Sequence, residues 1–370
     1  MSRASGRGHA EEARPEIVDA PGLTVEAEVA VQRGAVTGIA VSPDGTRLIV
    51  THNGDDSVSL IDTGHGNVAQ TVVDIDEPFA VAAADSGGLA YVSTVSASYD
   101  SILALDMDDN RVVAAYPVAH NVTDLAVSPD GMHVYASRSA ANGADVAILD
   151  ARTGTEDTIG IAAATGTTAT CVRVSPDGRG LYVAVNGPFA AELVMIDTHT
   201  NRVANTIEIG SPIRDIALSP DGATAYVGSC GPDFGAVLDV VEIGAMRTAT
   251  VADTYKIGEI AGCVTQLALS RDGRRAYLVG DSSVTVWSTS RHDVLGSIVT
   301  GAQPSCVTES PDGNRLYVAD YAGAITVLTI APTTASADVW AADEAPTAPH
   351  QWFPRQWAPS DLLGLEPTVA

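Results

Sequence analysis

One tetrapeptide punctuates this chain at nearly even intervals, and its spacing restricts the fold more than any other feature. Ser-Pro-Asp-Gly begins at Ser42, Ser128, Ser175, Ser219 and Ser310; Ser-Arg-Asp-Gly begins at Ser270; a decayed copy, Ala-Asp-Ser-Gly, begins at Ala84. The starts are 42, 44, 47, 44, 51 and 40 residues apart. Pro presets φ at the second turn position, Asp bonds its own backbone and Gly supplies a left-handed residue. Apolar runs flank each turn, as in Ile39-Ala40-Val41 before and Leu48-Ile49-Val50 after the first, so each unit opens with a β-hairpin. A third run follows and ends in Asp (Val58 to Asp62, Ile102 to Asp106, Val146 to Asp150, Leu193 to Asp197), and a fourth resembles Asn201 to Ile209. Four short antiparallel strands per 40–50-residue unit describe a propeller blade. The expectation is an all-β, seven-bladed β-propeller.

Composition agrees and narrows the partners. An apolar fraction of 45% supports a large core, while 34 Gly and 19 Pro fit a turn-rich chain. Against 46 Asp+Glu there are only 20 Lys+Arg, a net charge of −26. Such a surface repels phosphate backbones and anionic lipid, so neither nucleic acid nor membrane is an expected partner. No apolar stretch is long enough for a membrane span, and Met1 to Leu23 has no leader-like apolar core. The cytoplasm is the expected location, with export by a route that needs no such leader left open. The cysteines, Cys171, Cys230, Cys263 and Cys306, lack metal or haem spacing and are expected to be small buried hydrophobes rather than disulfides.

The stretch from Leu181 to Gly222 makes the likeness more specific. Its Leu-Tyr-Val strand, Ile196-Asp197-Thr198, Thr200-Asn201, Thr206-Ile207 and Ser219-Pro-Asp-Gly222 resemble the YVTN-type β-propeller repeat. The resemblance covers roughly residues 23–331, and the chain is similar to seven-bladed propellers of this family found in actinobacteria. These motifs are turns and core strands, so the resemblance implies a fold more than an activity. Similar propellers include sugar-lactone hydrolases, with acids and Arg or His at the channel mouth, and others with a redox cofactor on the channel axis. No cysteine or Met/His pattern here supports the redox cofactor.

The ends imply how the ring closes. After Ala324 to Ile330 strand pattern stops, which leaves the seventh blade without its outermost strand. At the other end Leu23 to Val31 alternates with period two ahead of the first repeat. The expected organisation is a flexible segment over 1–22, a propeller over 23–331 in which 23–31 completes the last blade, and a Pro/Ala-rich tail over 332–370.

Candidate binding residues come from aligning the innermost strands on the turn Ser. The turns joining strands one to two, and three to four, share one face. The opposite face carries connections that differ between blades, where ligand sites are usually built. Four residues before the Ser stand Gly38, Ala80, Asp124, Cys171, Asp215, Gln266 and Cys306; five before stand Thr37, Phe79, Thr123, Thr170, Arg214, Thr265 and Ser305. Two before stand Ala40, Ala82, Ala126, Arg173, Ala217, Ala268 and Thr308, and Arg173 is the one charged residue among them. Asp124, Arg173, Asp215, Arg214 and Gln266 are therefore candidates for a pocket holding a small anionic or carbonyl ligand, with inter-blade salt bridging as the plainer reading. His52, His120 and Asn121 are further candidates on the variable face, though ordinary loop roles suit them as well. The acids Asp55, Asp56, Asp74, Asp76 and Glu77 lack calcium-loop spacing, and no metal site or cofactor is expected. The expected protein is a monomeric, non-enzymatic scaffold for protein partners, with a lactonase-like enzyme as the alternative.

The tail holds Trp340, Trp352, Phe353 and Trp357, more large apolar surface than a disordered segment usually carries. It either docks on its own propeller or anchors a partner. Deleting 332–370 separates the two: a lowered melting temperature means docking, and lost partner capture with unchanged melting means an anchor.

Overall fold

A computed structural model describes residues 15–331, apart from 19, 86–87, 97–98, 120, 232, 234, 245–248 and 261. Its strands form seven antiparallel sheets. Blade one runs outward through Gly38–Val41, Arg47–His52, Ser57–Asp62 and Asn67–Val73. The innermost strands of blades two to seven are Val81–Ala83, Val122–Val127, Thr168–Val174, Ile213–Leu218, Gln266–Leu269 and Pro304–Glu309. Each lies beside the next, and the seventh lies beside the first, so the ring is closed. The candidates His120, Trp340, Trp352, Phe353 and Trp357 lie outside the described residues.

Packing between blades explains the composition of the strands. The second and third strands of each blade are covered on both faces, and so are almost continuously apolar. In blade four Leu181, Val183, Val194 and Ile196 pack against Ala126, Tyr135, Val146 and Ile148 of blade three. The tyrosines of the Leu-Tyr-Val type strands, Tyr91, Tyr182, Tyr277 and Tyr317, are fully buried between sheets. The outermost strands are half in water, and Asn67–Val73 accordingly has no fully buried residue.

The repeated turn is a closed hydrogen-bonded unit. In blade one the Ser42 hydroxyl donates to Asp44 Oδ1 (2.6 Å) and accepts from Arg47 N–H (2.9 Å), while Asp44 Oδ1 also accepts from Thr46 N–H (3.0 Å). The same three bonds recur in blade four from Ser175, Asp177, Arg179 and Gly180. These bonds, the serine hydroxyl's first, hold the Asp44 and Asp177 carboxyls below their ordinary value. Thr63, Thr198 and Thr289, from the strand three-to-four turns, donate to the carbonyls of Gly45, Gly178 and Gly273, which confirms that both turn sets share one face.

The ends meet as expected and go one step further. Leu23–Ala30 pairs antiparallel with Ala324–Ile330, from Leu23 opposite Ile330 to Ala30 opposite Ala324, and completes blade seven. The segment before it, expected to be flexible over 1–22, contains another strand. Glu16–Val18 pairs with Asp293–Val299 as a fifth strand of blade six. Its three residues were too few to show a period in the sequence. The N-terminal chain thus stitches blade six to blade seven before blade one begins.

Adjacent turns also touch. Gly273 sits at φ +71°, and a Cβ there would lie 2.9 Å from Pro220 Cδ in the preceding blade's turn; Gly34 has φ +77° but open space around it. Gly34→Ala is therefore expected to cost about 1 kcal/mol from backbone strain alone, and Gly273→Ala distinctly more. Chemical denaturation of the two variants measures the difference.

Candidate functional site

An innermost strand has a neighbour on only one side, so its channel-facing N–H groups need partners from elsewhere. In blades three, five and six the residue four before the turn Ser supplies them. Asp124 Oδ1 accepts from Leu125 N–H (2.9 Å) in its own blade, and Oδ2 accepts from Val172 N–H (3.0 Å) in the next. Asp215 repeats this with Ile216 N–H (2.8 Å) and Leu267 N–H (2.8 Å). Gln266 Oε1 accepts from Val307 N–H at 2.6 Å. Two carboxylates and one amide thus cap the equivalent N–H in blades three to seven. Gln266, a ligand candidate from the sequence, is part of this collar.

Arg173 lies between the two carboxylates. Its guanidinium donates through Nη1 to Asp124 Oδ2 and through Nη2 to Asp215 Oδ1, each at 2.5 Å. Nε donates to Ile216 O (2.9 Å) and Nη1 also to Val172 O (2.7 Å). Burial works against the Arg173 charge, but the two carboxylates outweigh it and push its pKa up. Burial likewise pushes the Asp215 carboxyl up, opposed by Arg173 and by the two N–H donors. The triad joins blades three, four and five, with Asp215 only 4% exposed. Of the two readings of Arg173, the geometry is that of the inter-blade ion-pair network, and the polar atoms of the pocket alternative are already engaged.

The other candidates separate. His52 was expected in a variable-face loop, but it ends the second strand of blade one and is fully buried. Its Nδ1 bonds Ala35 O (3.3 Å) and its Nε2 bonds the Ser59 hydroxyl (3.2 Å), while burial depresses its pKa. It is a core histidine satisfied by hydrogen bonds. Asn121 is exposed at φ +68°, and its carbonyl accepts from Ser139 N–H. The residue five before the Ser is a β-bulge in blades three, four, five and seven, because strand register skips Thr123, Thr170, Arg214 and Ser305. Bulges re-aim a side chain. The threonines use this to bond backbone carbonyls, Thr123 to Ser137 O (3.0 Å) and Thr170 to Ile213 O (3.3 Å). The Arg214 side chain makes no hydrogen bond or ion pair with any described residue. With Thr170, Thr265, Gly262, Cys263 and Asp281 it lines a shallow cleft at the mouth of the channel.

The cleft is bordered by a feature that the sequence reading placed wrongly. Cys230 and Cys263, expected to be unpaired hydrophobes, form a disulfide with Cα atoms 4.9 Å apart; Cys171 and Cys306 are buried and free, as expected. Cys230 ends the second strand of blade five, and Cys263 lies on the connection into blade six. The repeat register could have shown this, since it puts both residues on the variable face of neighbouring blades. Spacing along the chain alone could not. The described residues hold no group of His, Cys, Asp or Glu able to bind a metal ion, and no helix among them is long and apolar enough to cross a membrane.

Ring, repeat turns and polar collar together define a seven-bladed β-propeller protein. The seven-bladed beta-propeller protein Rv1057 of Mycobacterium tuberculosis is 46% identical, over 97% of this chain and 100% of its own length. The chain belongs to that family. A hydrazine synthase structure from Kuenenia stuttgartiensis superposes with a TM-score of 0.72 at 20% identity, covering 82% of this chain and 97% of that one; this likeness concerns the fold alone. No protein-family profile matches the chain.

Arg173→Ala leaves two carboxylates, one deeply buried, without their cation. The expected loss is about 3 kcal/mol, the lower end for a broken buried pair because Asp124 keeps some solvent. Arg173 lowers the Asp215 pKa, so its removal raises that pKa further. A folded-state pKa above the unfolded value favours the fold at low pH and is lost as pH rises. The variant's deficit should therefore shrink from about pH 8 to about pH 5, as read by denaturation at the two values.

Proposed function

We propose that this protein is a non-enzymatic binding scaffold whose variable face captures protein partners. The observation that carries this reading is the placement of exposed aromatic side chains. Phe79, Tyr99, Phe189 and Tyr321 are the large aromatics most open to solvent among the described residues, and Phe189 is 99% exposed. All four stand on strand two-to-three connections or on connections between blades, and so on the variable face. Aromatics held out by a rigid frame are the usual anchors of protein–protein contacts. Most described arginines, by contrast, lie near the repeated turns of the other face.

The collar chemistry supports the same preference. A lactonase-like site would need a free carboxylate base and a free guanidinium. Asp124, Asp215 and Arg173 are instead engaged with backbone N–H groups and with one another. The YVTN-type resemblance fits either activity. The Cys230–Cys263 disulfide favours an oxidising compartment over the cytoplasm.

The test is co-purification with mass spectrometry, comparing tagged wild type with a Tyr99→Ala/Phe189→Ala/Tyr321→Ala variant. Proteins bound by wild type should be lost from the variant while its melting temperature is unchanged. Equal retention by the variant would sink the reading.

A further inference from the structure

Two arginines interrupt the rows of small and hydroxyl residues at the channel, and their surroundings are opposite. Arg173 has four hydrogen-bond acceptors. Arg214 has none among the described residues, although the chain carries a net charge of −26. Other basic residues toward this face are engaged. Arg33 pairs with Asp55 (3.3 Å), Lys256 with Asp233 (3.2 Å), and buried Arg138 with Asp145 and Glu156. Arg214 is thus an exposed guanidinium with its planar fork of donors available.

Its backbone is also held in place. Arg214 is the bulge residue of its strand, which turns its side chain out of the pairing register. On one side, both backbone groups of Ile213 are bonded by the Asn186 side chain of blade four, each at 2.8 Å. On the other side Asp215 is fixed in the collar. The cleft wall opposite is equally constrained. Gly262 has φ +87°, a Cβ there would collide with the Asp281 carboxylate, and the next residue, Cys263, is tied to blade five by the disulfide.

The other polar groups of the cleft are acceptors. The hydroxyls of Thr170 and Thr265 donate to Ile213 O and Val279 O, which leaves their lone pairs for a ligand, and Asp281 is a carboxylate. One guanidinium fork facing three acceptors complements a carboxylate that has a hydrogen-bond donor beside it. We propose that this cleft binds such a carboxylate on Arg214, with the adjacent donor directed at Thr170, Thr265 or Asp281 and with the disulfide holding the wall in place. Two sources share this chemistry: the C-terminal residue of a peptide and a small hydroxy acid. Because none of the exposed aromatics lines the cleft, the inference can fail while the scaffold reading stands, and the reverse.

The probes are N-acetyl-alanyl-alanine, the same dipeptide with an amidated C-terminus, and lactate, titrated into the intact protein and followed by ligand-observed NMR. At least one of the two acids should bind saturably, and the tighter one identifies the source. Amidation of the dipeptide and Arg214→Gln should each weaken binding at least about tenfold, as expected for a lost charged hydrogen bond. Arg214 is exposed and unpaired, so the variant should melt like wild type. The Cys230→Ser/Cys263→Ser variant should bind several-fold more weakly, and unchanged affinity there would remove the disulfide from the proposal. No saturable binding of either acid, equal binding of acid and amide, or full binding by Arg214→Gln overturns it.

Discussion

Every propeller has to satisfy the channel-side edge of its innermost strands, and in this protein that need shapes the centre of the molecule. A strand paired on one side only leaves a row of N–H groups facing inward, each costly if buried without a partner. Here the blades serve one another. Asp124 and Asp215 each use one oxygen for their own strand and the other for the next, and Gln266 extends the series into blade seven. A second set of contacts lies nearer the mouth. Val122 N–H donates to Asp100, Ala169 N–H to the Ser139 hydroxyl and Ile213 N–H to Asn186, each bond crossing from one blade to the next. Two acids brought this close need a cation, which accounts for an arginine in a layer otherwise filled by five alanines and Thr308.

The two faces of the ring divide the remaining work. On one face, serine, aspartate and glycine close the turn on itself in six blades, and Gly45, Gly178, Gly222 and Gly273 each lie against the proline of the turn before. Blade six departs from this pattern, with Arg271 in the proline position; its backbone N–H donates to Glu309 of blade seven at 2.8 Å. This is also the blade that receives the extra Glu16–Val18 strand. On the other face the connections share no motif, and the exposed aromatics, the disulfide and Arg214 are all found there. Uniform chemistry marks the frame, and variation marks the surface available for recognition.

The fold was legible because turn chemistry and apolar runs are local, and local signals repeated seven times fix a register. Blade number, strand order and closure through Leu23–Ala30 all followed from it. The register also brought Asp124, Arg173 and Asp215 together correctly. What it could not supply was the destination of individual atoms. Whether Asp215 points at a ligand or at Leu267 N–H depends on side-chain direction, which an alignment of positions does not contain. His52 shows the same limit, since the end of a strand and the start of a loop look alike in sequence but differ fully in burial. The Cys230–Cys263 pair needed the register to be carried onto the connections, where length varies and alignment weakens.

The contrast between the two arginines shows how a broken pattern should be weighed. A charged residue in a row of small ones signals an unmet electrostatic need, and that need is either internal or external to the fold. For Arg173 it is internal: two carboxylates, themselves required by orphaned N–H groups, lie within hydrogen-bonding distance. For Arg214 no such group is present among the described residues, and the strand has bulged so that the side chain leaves the pairing register. Burial separates the cases further: the Arg173 guanidinium is half-buried and has lost part of its hydration to partners within the protein, whereas exposed Arg214 keeps its hydration until a ligand replaces it. The same residue type, one blade apart, therefore serves cohesion in one place and leaves a donor fork facing solvent in the other.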